Sequence, residues 1–258
     1  MELEKISVTS DKPTEFQLRE FETALVNLQN GMVPEAKNAL SNLLDQRAPI
    51  SSLAVIVGNA ALLDEDIPLA ERCVKLSIER NESVSDALML QAIIEAKLAT
   101  NPQHKAMGNP RIRIESLLQQ SIAADASNAR PFFELATLRR FEKRNEEALE
   151  LLESASNRLG QSDSIMSVNL AKELVKLEQL QDSELAQSAP TGTDVQSLLC
   201  AAYVAARLGD PNKAAELVAQ ARSVTPLKTF NQLLKDPAFV PWRKEPALEK
   251  FFPKQKTN

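Results

Sequence analysis

Glycine, histidine, cysteine and aromatic residues are all scarce in this chain, and each scarcity removes a class of function. Of 258 residues, 6 are glycine, 1 is histidine and 2 are cysteine, and aromatics make up 4%. Six glycines leave little material for phosphate-cradling loops, and no P-loop, GxGxxG or GxSxG pattern occurs. A single histidine excludes any site that needs two. It is His104, in a stretch (Thr100–Pro110) whose prolines and glycine read as a loop, with no neighbour suited to orient it as a general base. Cys73 and Cys200 stand apart, outside any CxxC pair and too few for a zinc site. Both fall in helical patterns, where cysteine acts as a small apolar residue, so no disulfide within the chain is expected. The reading is of a non-enzyme, with no catalytic residues, no metal and no cofactor.

Basic clusters are missing as well. The formal net charge is −5, and no run of Lys/Arg exceeds Arg139-Arg140, so the basic face that nucleic acid requires is absent. No apolar run approaches the ~18 residues of a membrane span. Residues 53–63 are apolar, but the run is short and ends in Asp64, Glu65 and Asp66. The N-terminal residues carry no signal-peptide core. A cytoplasmic location without membrane insertion is expected. Acidic pairs such as Asp64/Asp66 and Glu146/Glu147 read as solvated groups at turns and helix starts, and Glu147→Gln is expected to cost almost nothing.

What the chain has in quantity is alanine and leucine within a 43% hydrophobic share, together with Glu, Lys and Gln. These are good helix formers, which points to an all-α fold. The apolar pattern repeats. Ala36 and Ala70 stand 34 residues apart, as do Pro34 and Pro68, and Ala148 and Ala214 open similar helices further on. Four residues after each alanine comes Leu40, Val74, Leu152 or Val218. Seven residues after three of them comes Ser77, Ala155 or Ala221. Twelve before each comes Ala24, Gly58, Ala136 or Ala202. One face of an amphipathic helix and one point of close helix approach therefore recur in register. Proline in the first turn fits, because its missing N–H would have no partner there. Gly31 and Gly209 sit where helices end, Asp210-Pro211 supplies an N-cap and a first-turn proline, and Thr193 with Gln196 reads as a capping box. In the third unit the register resumes at Ile114, 34 before Ala148 and ten residues late, so the insertion lies around Thr100–Pro110.

This small–small pattern resembles the tetratricopeptide repeat (TPR) family over roughly residues 17–228. It is clearest at Leu198, Ala201, Ala202, Ala205, Ala214, Val218, Ala221 and Pro226, then at Phe132, Leu135, Ala136, Ala148, Leu152 and Ala155. The resemblance implies a right-handed α-solenoid of stacked helical hairpins, about six units plus a C-terminal cap. Expected segments are an N-terminal stretch 1–16, and units near 17–50, 51–84, 85–128 (with the insertion), 129–162, 163–194 (degenerate) and 195–228. A capping segment, 229–258, follows, its Phe239, Trp242, Leu248, Phe251 and Phe252 covering the last hairpin; a docking tail is the other reading of these aromatics.

In the family that the chain resembles, the first helix of each unit lines a concave groove that commonly receives a peptide or a partner helix. Carried over by position, the groove residues are Val55, Asn59, Leu62, Met89, Ile93, Arg130, Phe133, Thr137, Arg140 and Tyr203. Two arginines and an amide above an apolar floor suit a protein segment that carries an acidic group. The implied function is a protein–protein interaction scaffold or adaptor. The alternatives are self-association through apolar terminal units, a homodimer for example, and a small-ligand regulatory module.

Overall fold

The computed structural model describes residues 12–100, 109–160 and 165–252. His104 and most of the Thr100–Pro110 insertion lie outside the described residues. The chain is all-α, without strands among the described residues, and divides into two compact units, Met1–Ser127 and Asn128–Asn258.

Unit 1 holds three hairpins. They are α1 (Glu15–Gln29) with α2 (Val33–Asp45), α3 (Leu53–Leu63) with α4 (Ile67–Glu79), and α5 (Val84–Ala99) with α6 (Pro110–Ala124). Successive hairpins stack through α2 on α3 and α4 on α5. The central helix, α3, is apolar on nearly every side, with Leu53, Ala54, Val55, Val57, Gly58, Ala60 and Ala61 all buried. A helix of that kind must be enclosed by others. Gly58 shows how tightly: a Cβ there would lie 2.7 Å from Leu90 Cδ2 and 3.1 Å from Cys73 Cβ.

Unit 2 begins with α7 (Ala129–Phe141) and α8 (Asn145–Ser156), followed by α9 (Ile165–Glu178). The next helix, α10 (Asp182–Gln187), has six residues and packs on α11 (Val195–Arg207). Then come α12 (Pro211–Ser223), the short α13 (Leu227–Leu233), and two 3-10 segments, Pro237–Lys244 and Glu249–Phe251. One core joins Leu170 and Leu174 of α9 and Leu198, Leu199 and Ala202 of α11 to Phe230, Phe239, Trp242, Leu248 and Phe251 of the C-terminal stretch. The Phe239 and Trp242 rings lie 4.6 Å apart at a tilt. These aromatics are therefore committed to unit 2's own interior, and the described part of this segment is no free tail.

The small residues of the repeat sit where helices meet. Ala24, Ala36, Ala70, Ala148, Ala202 and Ala214 have no exposed surface, and Ala136 has 1%. The partners four residues on, Leu40, Val74, Leu152 and Val218, are buried too. In α6 the corresponding positions are Leu118 and Ser121, and Ser121 Oγ donates to the carbonyl of Ser85 on α5 at 2.7 Å. A hydroxyl thus takes the place of the alanine found at this position in α8 and α12, with its hydrogen bond satisfied inside the hairpin.

Helix ends follow elementary capping rules, with two departures from expectation. Gly31 and Gly209 have φ of +82° and +83°. Around each, the last carbonyls of the helix are closed by paired 6→1 and 5→2 bonds, for example Met32 N–H to Asn27 and Gly31 N–H to Leu28. The same closure occurs around Arg47, Glu65, Asn81 and Lys143, all left-handed without being glycine. At α11 the N-cap is Asp194, not Thr193: its carboxylate accepts from the N–H groups of Gln196 and Ser197, both at 3.0 Å. A charged acceptor at the positive helix end is the stronger cap. The hydroxyl and backbone bonds from Ser197 hold the Asp194 carboxyl below the usual carboxylate range.

Candidate functional site

The first helix of unit 2 carries the features on which a site can be built. Asn128 caps α7, its side chain accepting from the N–H of Arg130 at 3.1 Å. From there α7 turns Phe132, Leu135 and Ala136 into the core and leaves Arg130, Phe133, Glu134 and Thr137 facing a cleft of about 460 Å³. Leu159 and the first residues of α9 (Ser167, Val168, Leu170) form a second wall. The stretch leaving α13 (Gln232, Leu233, Lys235, Asp236, Pro237) forms a third. Thr137 Oγ1 donates back to the carbonyl of Phe133 at 3.1 Å, so that hydroxyl is internally engaged.

Charges are distributed unevenly around this cleft. Arg130 and Lys235 are exposed, and no carboxylate among the described residues comes within ion-pair distance of either. Glu134 is partly exposed and lines the cleft. Burial is the main cause of a raised Glu134 carboxyl pKa, opposed by the Arg130 charge one turn earlier. No hydrogen-bond donor among the described residues reaches its oxygens.

The next two residues that α7 presents are arginines with opposite assignments. Arg139 is 5% exposed and turns into the α7–α8 corner, where it pairs with Glu142 at 3.1 Å and Glu147 at 3.2 Å. Glu147 also takes two contacts of 2.6 Å from Arg144. Glu147 is therefore an ion-paired node of the hairpin corner while its side chain stays 45% exposed, where the sequence suggested only a solvated group. Likewise Asp64 and Asp66 are held by Lys37, at 2.6 Å and 3.1 Å. Lys37 reaches across from α2, so these carboxylates tie one hairpin to the next.

Arg140 grips Asp236 with two guanidinium nitrogens, at 2.7 Å and 3.2 Å. Both side chains are largely buried, at 7% and 13% exposure. Asp236 Oδ1 also accepts from the N–H of Ala238 at 2.9 Å, so the carboxylate that receives Arg140 is the one that caps the following 3-10 segment. The sequence reading places the acidic group of a bound segment opposite Arg140, and here the chain supplies that carboxylate itself. Glu178 lies in the same cluster. Its carboxyl is raised by burial, while the charges of Arg140 and Arg207 pull it down. Tyr203 is raised by burial and by the Glu178 charge.

Of the residues singled out in the sequence, Arg130, Phe133 and Thr137 line one cleft, while Arg140 and Tyr203 belong to the adjoining internal cluster. In unit 1, Val55 and Met89 are core residues at 4% and 0% exposure. They face inward because α3 and α5 are themselves enclosed, and they offer no surface to a partner. Asn59, Leu62 and Ile93 are partly exposed, and the Asn59 amide donates to the carbonyl of Val55 at 3.0 Å. Sequence reasoning missed Glu134, Lys235 and Asp236. Glu134 could have been found from its place next to Phe133 on an inward-facing helix. Nothing in the repeat marks Lys235 or Asp236.

Among the described residues, no group of three or more His, Cys, Asp and Glu is placed to hold a metal ion, and no helix is long and apolar enough to cross a membrane. No family model and no curated protein matches the sequence. Solved structures do match the fold. One is a thermophilic TPR protein of Thermus thermophilus, with a TM-score of 0.50 and 11% identity over 85% of this chain and 99% of that one. At that identity the likeness is one of fold alone: the chain has a TPR-like helical-hairpin architecture.

Proposed function

We propose that this chain is a non-catalytic protein–protein interaction scaffold, and that the cleft against α7 in unit 2 receives a segment of a partner protein. The observation that carries the reading is the cleft itself. It is built on the first helix of a hairpin, with Phe133 and aliphatic side chains below and two cations at its edge, Arg130 and Lys235, that pair with no described carboxylate. A TPR-like fold supports a role in binding proteins. The chemistry of the cleft favours a segment with apolar residues for the floor and acidic residues for the rim.

The test is Phe133→Glu combined with Arg130→Glu. A partner recovered from native lysate with the wild-type chain should be lost, while helicity and Tm stay nearly unchanged because both side chains face the cleft. Retained binding would overturn the reading. Arg140→Ala is a poor probe, since removing it breaks a buried ion pair and would confuse binding with folding.

Self-association is the second reading. On the first hairpin Phe16 is 69% exposed and Val26 51% exposed, apolar surface that a second copy could cover. Light scattering decides it, since a strict monomer at high concentration removes this reading.

A further inference from the structure

We propose that the floor of the unit 2 cleft reads a basic side chain, lysine or arginine, on the bound segment, and that the Glu134 carboxylate is the group that reads it. The proposal rests on the scaffold reading above and names the chemistry of the segment.

The first support is the absence of a donor. Glu134 sits in the middle of α7 among the residues that line the cleft, and no described residue donates to its carboxylate. A carboxylate partly withdrawn from water, still reachable from solvent and without a donor inside the protein is free to accept a charge-assisted hydrogen bond from a ligand. A ligand that brings an ammonium or guanidinium supplies a donor that the protein itself does not give this carboxylate.

The second support is the surroundings. Phe133, Val168 and Leu233 line the same cleft as Glu134 and present hydrocarbon to it. Lysine and arginine carry a methylene stem below a charged head and bury that stem against such surfaces.

The third support is the placing of the other charges. Arg130 on α7 and Lys235 after α13 are exposed at the rim and form no ion pair with Glu134, and α9 contributes only Ser167. Asp236, the other carboxylate of the lining, is already held by Arg140. Glu134 is therefore the acceptor left open to a ligand. The rim cations suit acidic residues flanking the basic one, which gives an acidic segment with a single basic anchor.

The full chain is titrated with three fluorescein-labelled peptides, Asp-Leu-Lys-Leu-Asp and the same sequence with norleucine or glutamate at the centre. Anisotropy gives Kd, and amide NMR shifts of α7 and α9 give the location. The lysine peptide should bind about tenfold more tightly than the norleucine peptide, the gain of one charge-assisted hydrogen bond. Glu134→Gln should bring the two within about twofold of each other, chiefly by weakening the lysine peptide. Equal affinity for the lysine and norleucine peptides, or a lysine preference that survives Glu134→Gln, overturns the proposal and leaves the scaffold reading standing. If none of the peptides binds or shifts the α7 amides, the cleft reading fails and this proposal with it.

Discussion

Both units of the molecule are built on one helical packing scheme, yet they treat charge in opposite ways. In unit 1 the buried polar residues among those described are the serines Ser77, Ser85 and Ser121, and the ion pairs stay partly exposed, as Lys37 does with Asp64 and Asp66 and Arg113 with Glu95. In unit 2 charge goes inside. Arg139 and Arg140 are both largely buried, each with carboxylate partners, and Glu134 and Glu178 have carboxyls raised by burial. Shared small residues set how closely helices approach. They do not dictate what the surrounding side chains are used for. Unit 1 reads as packing, whereas unit 2 invests in polar specificity around its first helix.

The sharpest way to break this contrast is Arg140→Ala. It leaves Asp236 enclosed without its cation, which should cost about 3–5 kcal/mol, read by denaturant unfolding. Loss of hydrogen-exchange protection should concentrate in unit 2. A cost below about 1 kcal/mol, the range of exposed pairs, would mean that this pair is no more than a surface contact.

The shared scheme predicts equality where charge is not involved. Ala70→Trp in unit 1 and Ala148→Trp in unit 2 occupy the same repeat position, each with no exposed surface. Each should cost about 1–3 kcal/mol through overpacking, measured by the same unfolding curves. A large effect in one unit and none in the other would show that the two interiors are packed differently.

Acid separates the units again. The raised Glu134 carboxyl makes the folded state hold its proton more tightly than the unfolded chain does. That group therefore works against folding as pH rises past its ordinary value of 4.5 and through its raised pKa. Glu134→Gln should raise Tm at neutral pH, by the equivalent of about 1 kcal/mol, and the gain should vanish below pH 4.5. Asp66 has the opposite sign, its carboxyl being lowered chiefly by the hydrogen bond from Lys37. Its contribution is present above the ordinary aspartate pKa and is lost as pH falls through the lowered one. Asp66→Asn should lower Tm at neutral pH and converge with wild type in acid.

The smallest effects concern turns. Arg47 and Lys143 adopt left-handed backbone at φ of +53° and +60°. Changing either to glycine should stabilise its unit by about 0.5–1 kcal/mol, the relief of Cβ strain less the entropy that glycine adds to the unfolded chain. Unfolding midpoints in denaturant would show it.

The helical layout was legible in the sequence because it rests on local, repeated chemistry. Ala36, Ala70, Ala148 and Ala214 announce contact points by their spacing, and Gly31 and Gly209 announce helix ends by their conformational freedom. Arg47, Glu65 and Lys143 announced nothing, because a turn closed by two backbone bonds tolerates a side chain that carries no signal. Within the site, Phe133 and Arg130 could be placed from the repeat register. The Arg140–Asp236 pair joins residues 96 apart, one inside the repeat and one beyond it, and no periodicity relates them. Met89 was misplaced for a related reason: an apolar residue on an inner helix can face groove or core, and a shift of one position decides which.

Each unit encloses a single thiol, Cys73 in unit 1 and Cys200 in unit 2, and burial pushes their pKa values up to about 11 and about 12. A thiol that is both shielded and protonated reacts with alkylating reagents only when its surroundings open. The rate at which each sulfur is modified is therefore a native timer for its own half, and mass spectrometry of the two alkylated fragments would read both timers in one sample.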